Sequence, residues 1–258
     1  MASDDKPRAP GRRAVTTAAL GSLLLGGCDR LAGNPKVQGW LGSASRLSLL
    51  VQHWLAGDAL APEYTEADIT RSFKGNGTQD PDDDEYQALA ASGFAEWKLL
   101  VDGLVARPVQ YSLADLRAMP ARTQITRHDC VEGWSCIGKW TGVPLAEILQ
   151  RVEPKGAARF AVFHCADPME NGNPATKYYE SIDLIEAVHP QTILAYEMNG
   201  TALPVAHGAP LRLRVERQLG YKMAKYVMRI ELVEDFRSIG GGNGGYWEDQ
   251  GYAWYAGI

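Results

Sequence analysis

The chain has 258 residues, with 26 basic and 31 acidic side chains and a formal net charge of −5 at pH 7. This acidic balance argues against a nucleic-acid partner, because proteins that bind phosphate backbones carry an excess of basic surface. Hydrophobic residues make up 45% of the chain, which is enough for the core of one large domain or two small ones.

The first 27 residues have the pattern of a signal peptide. Arg12 and Arg13 close a positively charged start, and the apolar stretch Ala14–Leu25 follows. This stretch is too short to cross a bilayer as an ordinary helix. The small residues before Cys28 look like a lipobox, which would make Cys28 the lipidated first residue of the mature protein. The alternative is an ordinary cleaved signal with an incidental cysteine.

The same segment indicates where the protein works. The arginine pair is compatible with twin-arginine export, which carries folded proteins. The sequence therefore predicts a location in the periplasm or at the outer face of the cytoplasmic membrane. Removal of residues 1–27 takes away four basic and two acidic side chains, which leaves 22 basic and 29 acidic ones and a net charge of −7.

Few elements are predicted before residue 70. Residues 28–69 begin with a short tether, and Val37–Leu55 carries apolar residues at helical spacing, which predicts an amphipathic helix packed on its own domain. The acidic run 80–85 lacks the glycine and terminal glutamate of a calcium loop, so we interpret it as solvated surface. No stretch of about 20 apolar residues follows residue 27, so no transmembrane anchor is predicted.

From residue 97 onward, strands and short helices alternate irregularly. The predicted strands are 97–101, 123–126, 160–163, 192–198, 211–215 and 226–233. The predicted helices are one that Ser112 opens with Asp115 in a capping box, residues 144–152, and Ile182–Val188 capped by Ser181. Asn199-Gly200 predicts a hairpin turn. Because regular βαβ units are missing, the pattern predicts an α+β fold with mixed β-sheets and short helices.

Besides Cys28, three cysteines remain, namely Cys130, Cys136 and Cys165. An odd number in an exported protein leaves at least one thiol unpaired, and a bound metal would give that thiol a role. Cys130 follows the strand 123–126 directly and lies among polar residues and a Trp. A thiolate there is a soft ligand that suits a sulfur-preferring metal.

His128, Arg127 and nearby backbone amides would lower the pKa of the Cys130 thiol and keep it ionised. Two alternatives stay open for this segment. One is a structural disulfide between Cys130 and Cys136, and the other is an inert buried thiol.

Five basic residues lie close together in an otherwise acidic chain, namely Arg212, Arg214, Arg217, Lys222 and Lys225. The acidic residue among them is Glu216. Over residues 211–215 apolar residues alternate with arginines, which predicts a strand with one apolar and one charged face. Such a cluster beside a glycine-containing turn predicts an anion site, where arginine forks bind a phosphate. The alternative is an ordinary solvated strand face.

These two regions resemble motifs of the sulfite oxidase superfamily. Residues 127–136 look like its molybdenum-ligating loop and are similar to the periplasmic methionine-sulfoxide reductase catalytic subunit branch, whose loop reads Cys-Val-Glu-x-Trp. Residues 207–225 resemble the pterin-binding stretch, with a Gly-Ala-Pro-x-Arg opening and a closing Lys. The resemblance covers roughly residues 70–235 and implies a sulfite-oxidase-type molybdopterin domain, which we place at residues 70–238.

The resemblance also implies roles for individual residues. The implied catalytic residues are the molybdenum ligand Cys130 and, around substrate entry, His128, Glu132 and Trp134. The residues implied in molybdopterin binding are Asn76, Cys165, His207, Arg212, Tyr221, Met223, Ala224 and Lys225. Among these, Arg212 and Lys225 would hold the phosphate of the pterin, and Asn76 belongs to the loop 73–78. His207 stands where relatives often have Asn.

The implied function is that of an exported molybdenum-cofactor oxidoreductase, which transfers an oxygen atom on a small S- or N-oxide or a sulfite-like substrate. The run Val131–Trp134 differs from the Gly-Asn-Arg-type run of sulfite oxidases proper. A cytochrome or a membrane quinol protein would exchange electrons with an enzyme of this kind. Two alternatives are a zinc-dependent hydrolase using His128, Cys130 and Cys136, and a lipid-anchored binding protein without catalysis.

Residues 239–258 form a separate C-terminal segment, in which a run of glycines precedes aromatic and acidic residues. The aromatic part is too apolar for a free linker. We expect it to pack on its own domain. A lid over the active site or a dock for an electron partner are the alternatives.

Overall fold

The fold is described from a computed structural model of the chain. The structure describes residue 57, residues 59–170 and residues 172–258. The predicted signal peptide, Cys28 and the predicted helix Val37–Leu55 lie outside the described residues. All described residues except Gly57 belong to the compact unit Asp58–Ile258.

Strands and short helices alternate irregularly along this unit. Its strands are β1 (Lys98–Gly103), β2 (Val109–Ser112), β3 (Arg122–Cys130), β4 (Trp134–Pro144), β5 (Phe160–Pro168), β6 (Lys177–Asp183), β7 (Ile193–Met198), β8 (Thr201–Ala202), β9 (Arg212–Arg214) and β10 (Val227–Val233). Its α-helices are α1 (Asp84–Ala91), α2 (Leu113–Ala118), α3 (Leu145–Val152), α4 (Leu184–Ala187) and α5 (Tyr246–Asp249). Single 3-10 turns are formed by Glu66–Asp68, Pro174–Thr176, Val205–His207 and Gly220–Lys222.

Two five-stranded sheets organise the unit. The first has the order β2-β1-β10-β5-β6, and the second has the order β3-β4-β7-β8 with β9 paired to β7. In the first sheet β1 and β10 are parallel, whereas the other neighbours are antiparallel. The first sheet is thus mixed, the second is antiparallel and the helices are short, which confirms the predicted α+β class.

The parallel pair in the first sheet sets the overall path of the chain. Parallel neighbours need a crossover connection, and here that connection contains the whole second sheet. Within the second sheet, β3 and β4 form a long antiparallel hairpin whose pairing runs from Arg122–Gly142 to Cys130–Trp134. Gly142 is needed where β4 meets β7, because a Cβ atom there would lie 2.1 Å from the Leu194 carbonyl oxygen.

The main hydrophobic core draws side chains from both sheets. Leu99 of β1, Phe163 of β5, Leu194 of β7 and Leu213 of β9 are all fully buried within one cluster. The helix α3 adds the apolar side chains of one face, namely Leu145, Ile148, Leu149 and Val152. Each fully buried side chain of this size contributes about 1.5–3 kcal/mol to folding.

The helix starts follow local capping chemistry, with one correction to the prediction. The predicted box at α2 is present, since Asp115 N–H donates to Ser112 Oγ at 3.1 Å and Ser112 N–H donates to Asp115 Oδ2 at 2.8 Å. The predicted cap at Ser181 is wrong. Ser181 lies inside β6, because the sheet continues to Asp183, and Asp183 caps α4 by accepting from Glu186 N–H at 2.8 Å.

The strand predicted at residues 211–215 is present but is not half-solvated. Arg212 and Arg214 are 1% and 0% exposed, so the alternative of a solvated strand face is excluded. β9 pairs with β7, and the neighbouring segments cover its charged side. Within the described residues no helix is long and apolar enough to cross a membrane.

Candidate active site and cofactor pocket

Cys130 is the last residue of β3, at the end of the β3–β4 hairpin. The turn residue Gly133 has a φ of 83°, a left-handed conformation that favours glycine. The Gly133 N–H donates to the Cys130 carbonyl oxygen at 3.0 Å. The strand therefore runs four residues beyond its predicted end at Thr126, and the turn fixes the thiol at the tip of the hairpin.

The surroundings of the Cys130 thiol keep it protonated in the free protein. Burial raises the pKa of this thiol, and the Glu132 carboxylate adds to the rise. The Glu132 backbone N–H and the Lys74 ammonium act in the opposite direction without outweighing burial. Ionisation would therefore have to come from a bound metal, which deprotonates a coordinating thiol outright.

The prediction that His128 and Arg127 lower this pKa is wrong. His128 is fully buried, and burial, followed by the charges of Arg214 and Arg212, holds the pKa of its imidazole well below the ordinary value. A neutral ring has no charge with which to stabilise a thiolate. Arg127 turns instead to Asp129, with 2.9 Å between Arg127 Nε and Asp129 Oδ2.

His128 lies beneath the segment that follows Leu219. A Cβ atom on Gly220 would lie 2.4 Å from His128 Cε1, so only glycine allows this approach. His128 Nδ1 is 3.3 Å from Met223 Sδ, and the Trp134 ring lies 5.7 Å from the imidazole, centroid to centroid. The geometry makes His128 a support for the loop at residues 220–223.

The described cysteines Cys130, Cys136 and Cys165 are all free and buried. The alternative of a Cys130–Cys136 disulfide is therefore wrong: in the hairpin Cys130 pairs with Trp134, whereas Cys136 pairs with His128. Among the described residues, no group of three or more His, Cys, Asp or Glu side chains is placed to hold a metal ion. The zinc-hydrolase alternative thus gains no support.

A cavity of about 160 Å³ opens beside Cys130. Six of the residues singled out in the sequence lie in its wall, namely Asn76, Cys130, Glu132, Tyr221, Met223 and Lys225. The other six lie outside the lining, namely His128, Trp134, Cys165, His207, Arg212 and Ala224. The hairpin tip, the loop at residues 73–78 and the segment at residues 220–225 thus each contribute residues to the wall of one pocket.

Sequence reasoning missed several residues of this wall, among them Asp167, Tyr178, Trp247 and Tyr252. Asp167 could have been found, because it lies two residues after Cys165 in β5 and alternate residues of a strand share a face. Burial raises the pKa of Asp167 to about 7. Its Oδ1 atom has no hydrogen-bond partner in the described part of the chain.

Three of the five clustered cations have carboxylate partners. The pairs are Arg214–Glu216 at 2.5 Å, Arg217–Glu186 at 2.7 Å, Lys222–Glu248 at 2.6 Å and the short contact Lys222–Glu180. Most of these carboxylates come from β6, α4 and α5, far away in the sequence. Arg214, Arg217 and Lys222 are thus neutralised within the protein. Arg212 and Lys225, the two cations that the resemblance assigns to the phosphate, remain to be described.

Arg212 is the first of these two. It is 1% exposed, its Nη1 donates to the His207 carbonyl oxygen at 3.1 Å, and its guanidinium lies 5.0 Å from the Trp140 ring centroid. Among the described residues, Arg212 Nε has no hydrogen-bond partner, and no carboxylate lies within ion-pair distance of the guanidinium. Burial, followed by the charge of Arg214, lowers the pKa of Arg212 to about 9.

Lys225 is the second. Its ammonium donates to the backbone oxygen of Asn76 at 2.8 Å and, in a shorter contact, to that of Thr78. Burial, followed by the charge of Arg212, lowers the pKa of Lys225 to about 7, although Asp167 acts in the opposite direction. Two buried cations without a paired carboxylate destabilise the free protein, and an anionic ligand would offset that cost.

The comparisons with known proteins identify the family. A model of the family described as oxidoreductase molybdopterin binding domain matches residues 87–238. The chain belongs to this family. It is an oxidoreductase whose cofactor is molybdopterin, and the predicted membership of the sulfite oxidase superfamily is confirmed.

Two curated proteins and one solved structure are among those similar to this chain. A protein of Azospira oryzae with the provisional name protein-methionine-sulfoxide reductase subunit YedZ1 is 40% identical over 252 residues, which is 96% of this chain and 88% of that protein. The protein-methionine-sulfoxide reductase catalytic subunit MsrP of Ralstonia nicotianae is 40% identical over 145 residues, 54% of this chain and 44% of that one. The sulfane dehydrogenase SoxCD of Paracoccus pantotrophus aligns with a TM-score of 0.49 and 23% identity over 55% of this chain and 39% of that chain.

The pocket of this molybdopterin oxidoreductase fits its cofactor in two respects. Lys225 lies in the cavity wall, and the buried Arg212 charge acts on it from outside the lining. Neither cation forms an ion pair with a carboxylate of the described residues, which suits the phosphate of a pterin. Cys130 provides a thiol at the cavity wall, which suits molybdenum as a soft-ligand metal. The cations therefore match the phosphate end of the cofactor, and the thiol matches its metal end.

Proposed function

We propose that this molybdopterin oxidoreductase is an exported enzyme that transfers an oxygen atom from a small S-oxide, with methionine sulfoxide as the substrate. The names of the two curated relatives support this substrate, since both are called protein-methionine-sulfoxide reductase subunits. The observation that carries the proposal is the position of the Cys130 thiol, which lies in the wall of the same cavity as the buried Lys225 ammonium.

In this proposal Cys130 ligates molybdenum, and Arg212 and Lys225 hold the phosphate of the pterin. When bound, the cofactor supplies the two-electron oxygen-atom transfer itself. Asn76, Tyr221 and Met223 line the cavity and would contact the pterin. Cys165, His207 and Ala224 lie outside the lining and would act by packing behind the contacting residues.

The hairpin turn would shape substrate entry. Trp134 Nε1 donates to Glu132 Oε2 at 2.8 Å, which holds the Glu132 carboxylate beside the cavity. The Lys74 ammonium lies 5.0 Å from the Trp134 ring centroid, so a charged side chain covers the outer face of this pair. His128 would act indirectly, because it supports the loop at residues 220–223 from below.

Turnover requires electrons from outside the site. Reduction of methionine sulfoxide consumes two electrons and two protons and yields methionine and water. A cytochrome or a membrane quinol protein would supply the electrons. A lipid anchor at Cys28 would keep the enzyme at the outer face of the cytoplasmic membrane, close to such a partner.

The export route gives a prediction that can be checked in cells. Labelling with a fatty acid should mark the wild-type protein and should fail in Cys28→Ala. Replacement of Arg12 and Arg13 by lysine should retain the protein in the cytoplasm, because the twin-arginine route reads that pair. A mature N-terminus other than Cys28, found by mass spectrometry, would contradict the lipid anchor. Unchanged export of the lysine variant would contradict the twin-arginine route.

The proposed reaction is tested by an assay with purified holoenzyme and a reduced viologen dye as the electron donor. Oxidation of the dye should depend on methionine sulfoxide and should yield methionine in a ratio of one per two electrons. If the holoenzyme oxidises the dye with an N-oxide but leaves methionine sulfoxide unchanged, the substrate class is wrong.

A further inference from the structure

The C-terminal segment, residues 239–258, supplies part of the cavity wall although it lies beyond the matched family region, which ends at residue 238. Trp247 of α5 and Tyr252, five residues later, both line the cavity, as do the hairpin residues Val131 and Glu132. The sequence predicted that the segment packs on its own domain, with a lid over the active site as one alternative, and it singled out neither Trp247 nor Tyr252. The structure therefore raises the question of what these two aromatic side chains do there.

A buried ion-pair triad anchors the segment at the cavity. Glu248 of α5 lies 2.6 Å from the Lys222 ammonium, which also contacts Glu180 of β6. All three side chains are at most 1% exposed. Because Lys222 stands between the lining residues Tyr221 and Met223, the triad ties the segment directly to the cofactor side of the pocket.

Further contacts hold the segment on both sides of this triad. Tyr221 donates its hydroxyl to the Ala253 carbonyl oxygen at 2.7 Å, and Leu219 N–H donates to the Ala256 carbonyl oxygen at 2.9 Å. Trp254 Nε1 donates to Ser181 Oγ at 2.8 Å. The segment is thus packed on its own domain as a fixed part of the pocket, which favours a wall over a lid.

Trp247 and Tyr252 form a stacked pair within this fixed wall. Their ring centroids lie 5.3 Å apart with 30° between the planes, and Tyr221 meets Tyr252 edge-on at 5.3 Å. Trp247 is half-buried, and Tyr252 is 39% exposed. Aromatic side chains left partly open at a cavity present a large apolar surface to whatever enters.

The chemistry of these rings matches one part of a sulfoxide substrate. The methyl and methylene groups of a methionine sulfoxide side chain stay apolar after the sulfur is oxidised, and they pack favourably against aromatic rings. The polar oxygen of the sulfoxide would point away from such a surface, and Cys130 lies in the wall of the same cavity. An aromatic part of the wall can thus orient the substrate as well as hold it.

We propose that Trp247 and Tyr252 are specificity-determining residues, which contact the S-methyl group and the adjoining methylene groups of the sulfoxide. This inference rests on the proposed function, because it concerns the same pocket and names the part of the substrate that the segment recognises. It assigns a role to a segment outside the matched family region.

The test measures binding and turnover on the holoenzyme. The dissociation constant for free methionine sulfoxide is measured by calorimetry on oxidised enzyme without a reductant, and KM and kcat are measured with the reduced dye. Trp247→Ala and Tyr252→Ala should each raise the dissociation constant and KM about five- to tenfold, with smaller changes in kcat and unchanged molybdenum content. Trp247→Phe should restore most of the binding, because it keeps an aromatic face.

A matched control comes from the same segment. Trp254→Phe removes the hydrogen bond to Ser181 at a position outside the cavity lining and should leave the dissociation constant unchanged. If Trp254→Phe weakens binding as much as Trp247→Ala, the two lining residues have no contact role and the inference is wrong. Should Trp247→Ala fail to fold, Trp247→Leu carries the same test with a smaller change in volume.

Different results would overturn the proposed function and the role of the two aromatic residues. Wild-type holoenzyme that neither binds nor reduces methionine sulfoxide would overturn the proposed function. Wild-type holoenzyme that does both, while Trp247→Ala and Tyr252→Ala keep the same dissociation constant, would overturn only the assignment of the aromatic wall.

Discussion

Cys130→Ser should reduce activity to background while the protein stays folded. Cys130 lies at the tip of the β3–β4 hairpin with its side chain in the cavity wall, so an oxygen in place of the sulfur leaves the backbone pairing with Trp134 intact. We expect the loss to exceed the roughly 10–100-fold that substitution of outer-shell residues costs at metal sites. Activity with the reduced dye and the melting temperature are measured together.

Cys136→Ser is the matched control for this prediction. Cys136 is equally buried and only six residues away, but it lies outside the cavity lining. It should keep molybdenum and most of its activity. If Cys136→Ser removed the metal and Cys130→Ser did not, the wrong thiol would have been chosen.

Arg212→Met and Lys225→Met should each weaken retention of the cofactor at least tenfold. Charge-assisted hydrogen bonds contribute about 1.5–3 kcal/mol each, and about 1.4 kcal/mol corresponds to a factor of ten in binding. Both variants should therefore purify with little molybdenum. The measurement is the metal content of the purified protein, with Lys98→Met of the exposed start of β1 as a control that should keep full occupancy.

The same substitution at Arg212 should have the opposite effect on the protein without cofactor. Its buried charge lacks a carboxylate partner among the described residues, so Met should leave the melting temperature of the apoprotein equal or higher. Arg214→Met provides the contrast, because it leaves the buried Glu216 carboxylate unpaired and should cost about 3–5 kcal/mol. Equal destabilisation by both substitutions would show that groups of the protein itself compensate the buried charge of Arg212.

The parts of the fold that the sequence predicts well are those set by local chemistry. The capping box at Ser112 and Asp115, the hairpin turn at Asn199-Gly200 and the helix that begins near Pro144 depend on neighbouring residues only. The segments around Cys130 and Lys225 were recognised because their motifs are contiguous. The resemblance assigned these two segments and the loop at residues 73–78 to one cofactor. Residues of all three segments line one cavity.

What the sequence could not provide depends on contacts between distant residues. The carboxylates that pair with Lys222 come from positions 180 and 248, so counting the charges near Lys222 in the sequence missed its partners. The same limitation hid Trp247 and Tyr252, whose approach to the cavity depends on that triad. Likewise, the low pKa of His128 results from burial, which the polar sequence around it did not indicate.

X-ray absorption at the molybdenum edge tests the central claim most directly, because it counts the sulfur neighbours of the metal in purified protein. The account predicts that Cys130→Ser with bound cofactor has one sulfur neighbour fewer than the wild type, whereas Cys136→Ser has the same number. An unchanged sulfur count in Cys130→Ser, or the absence of molybdenum from wild-type protein purified from its own exporting host, would contradict the assignment of Cys130 as the ligand in this pocket.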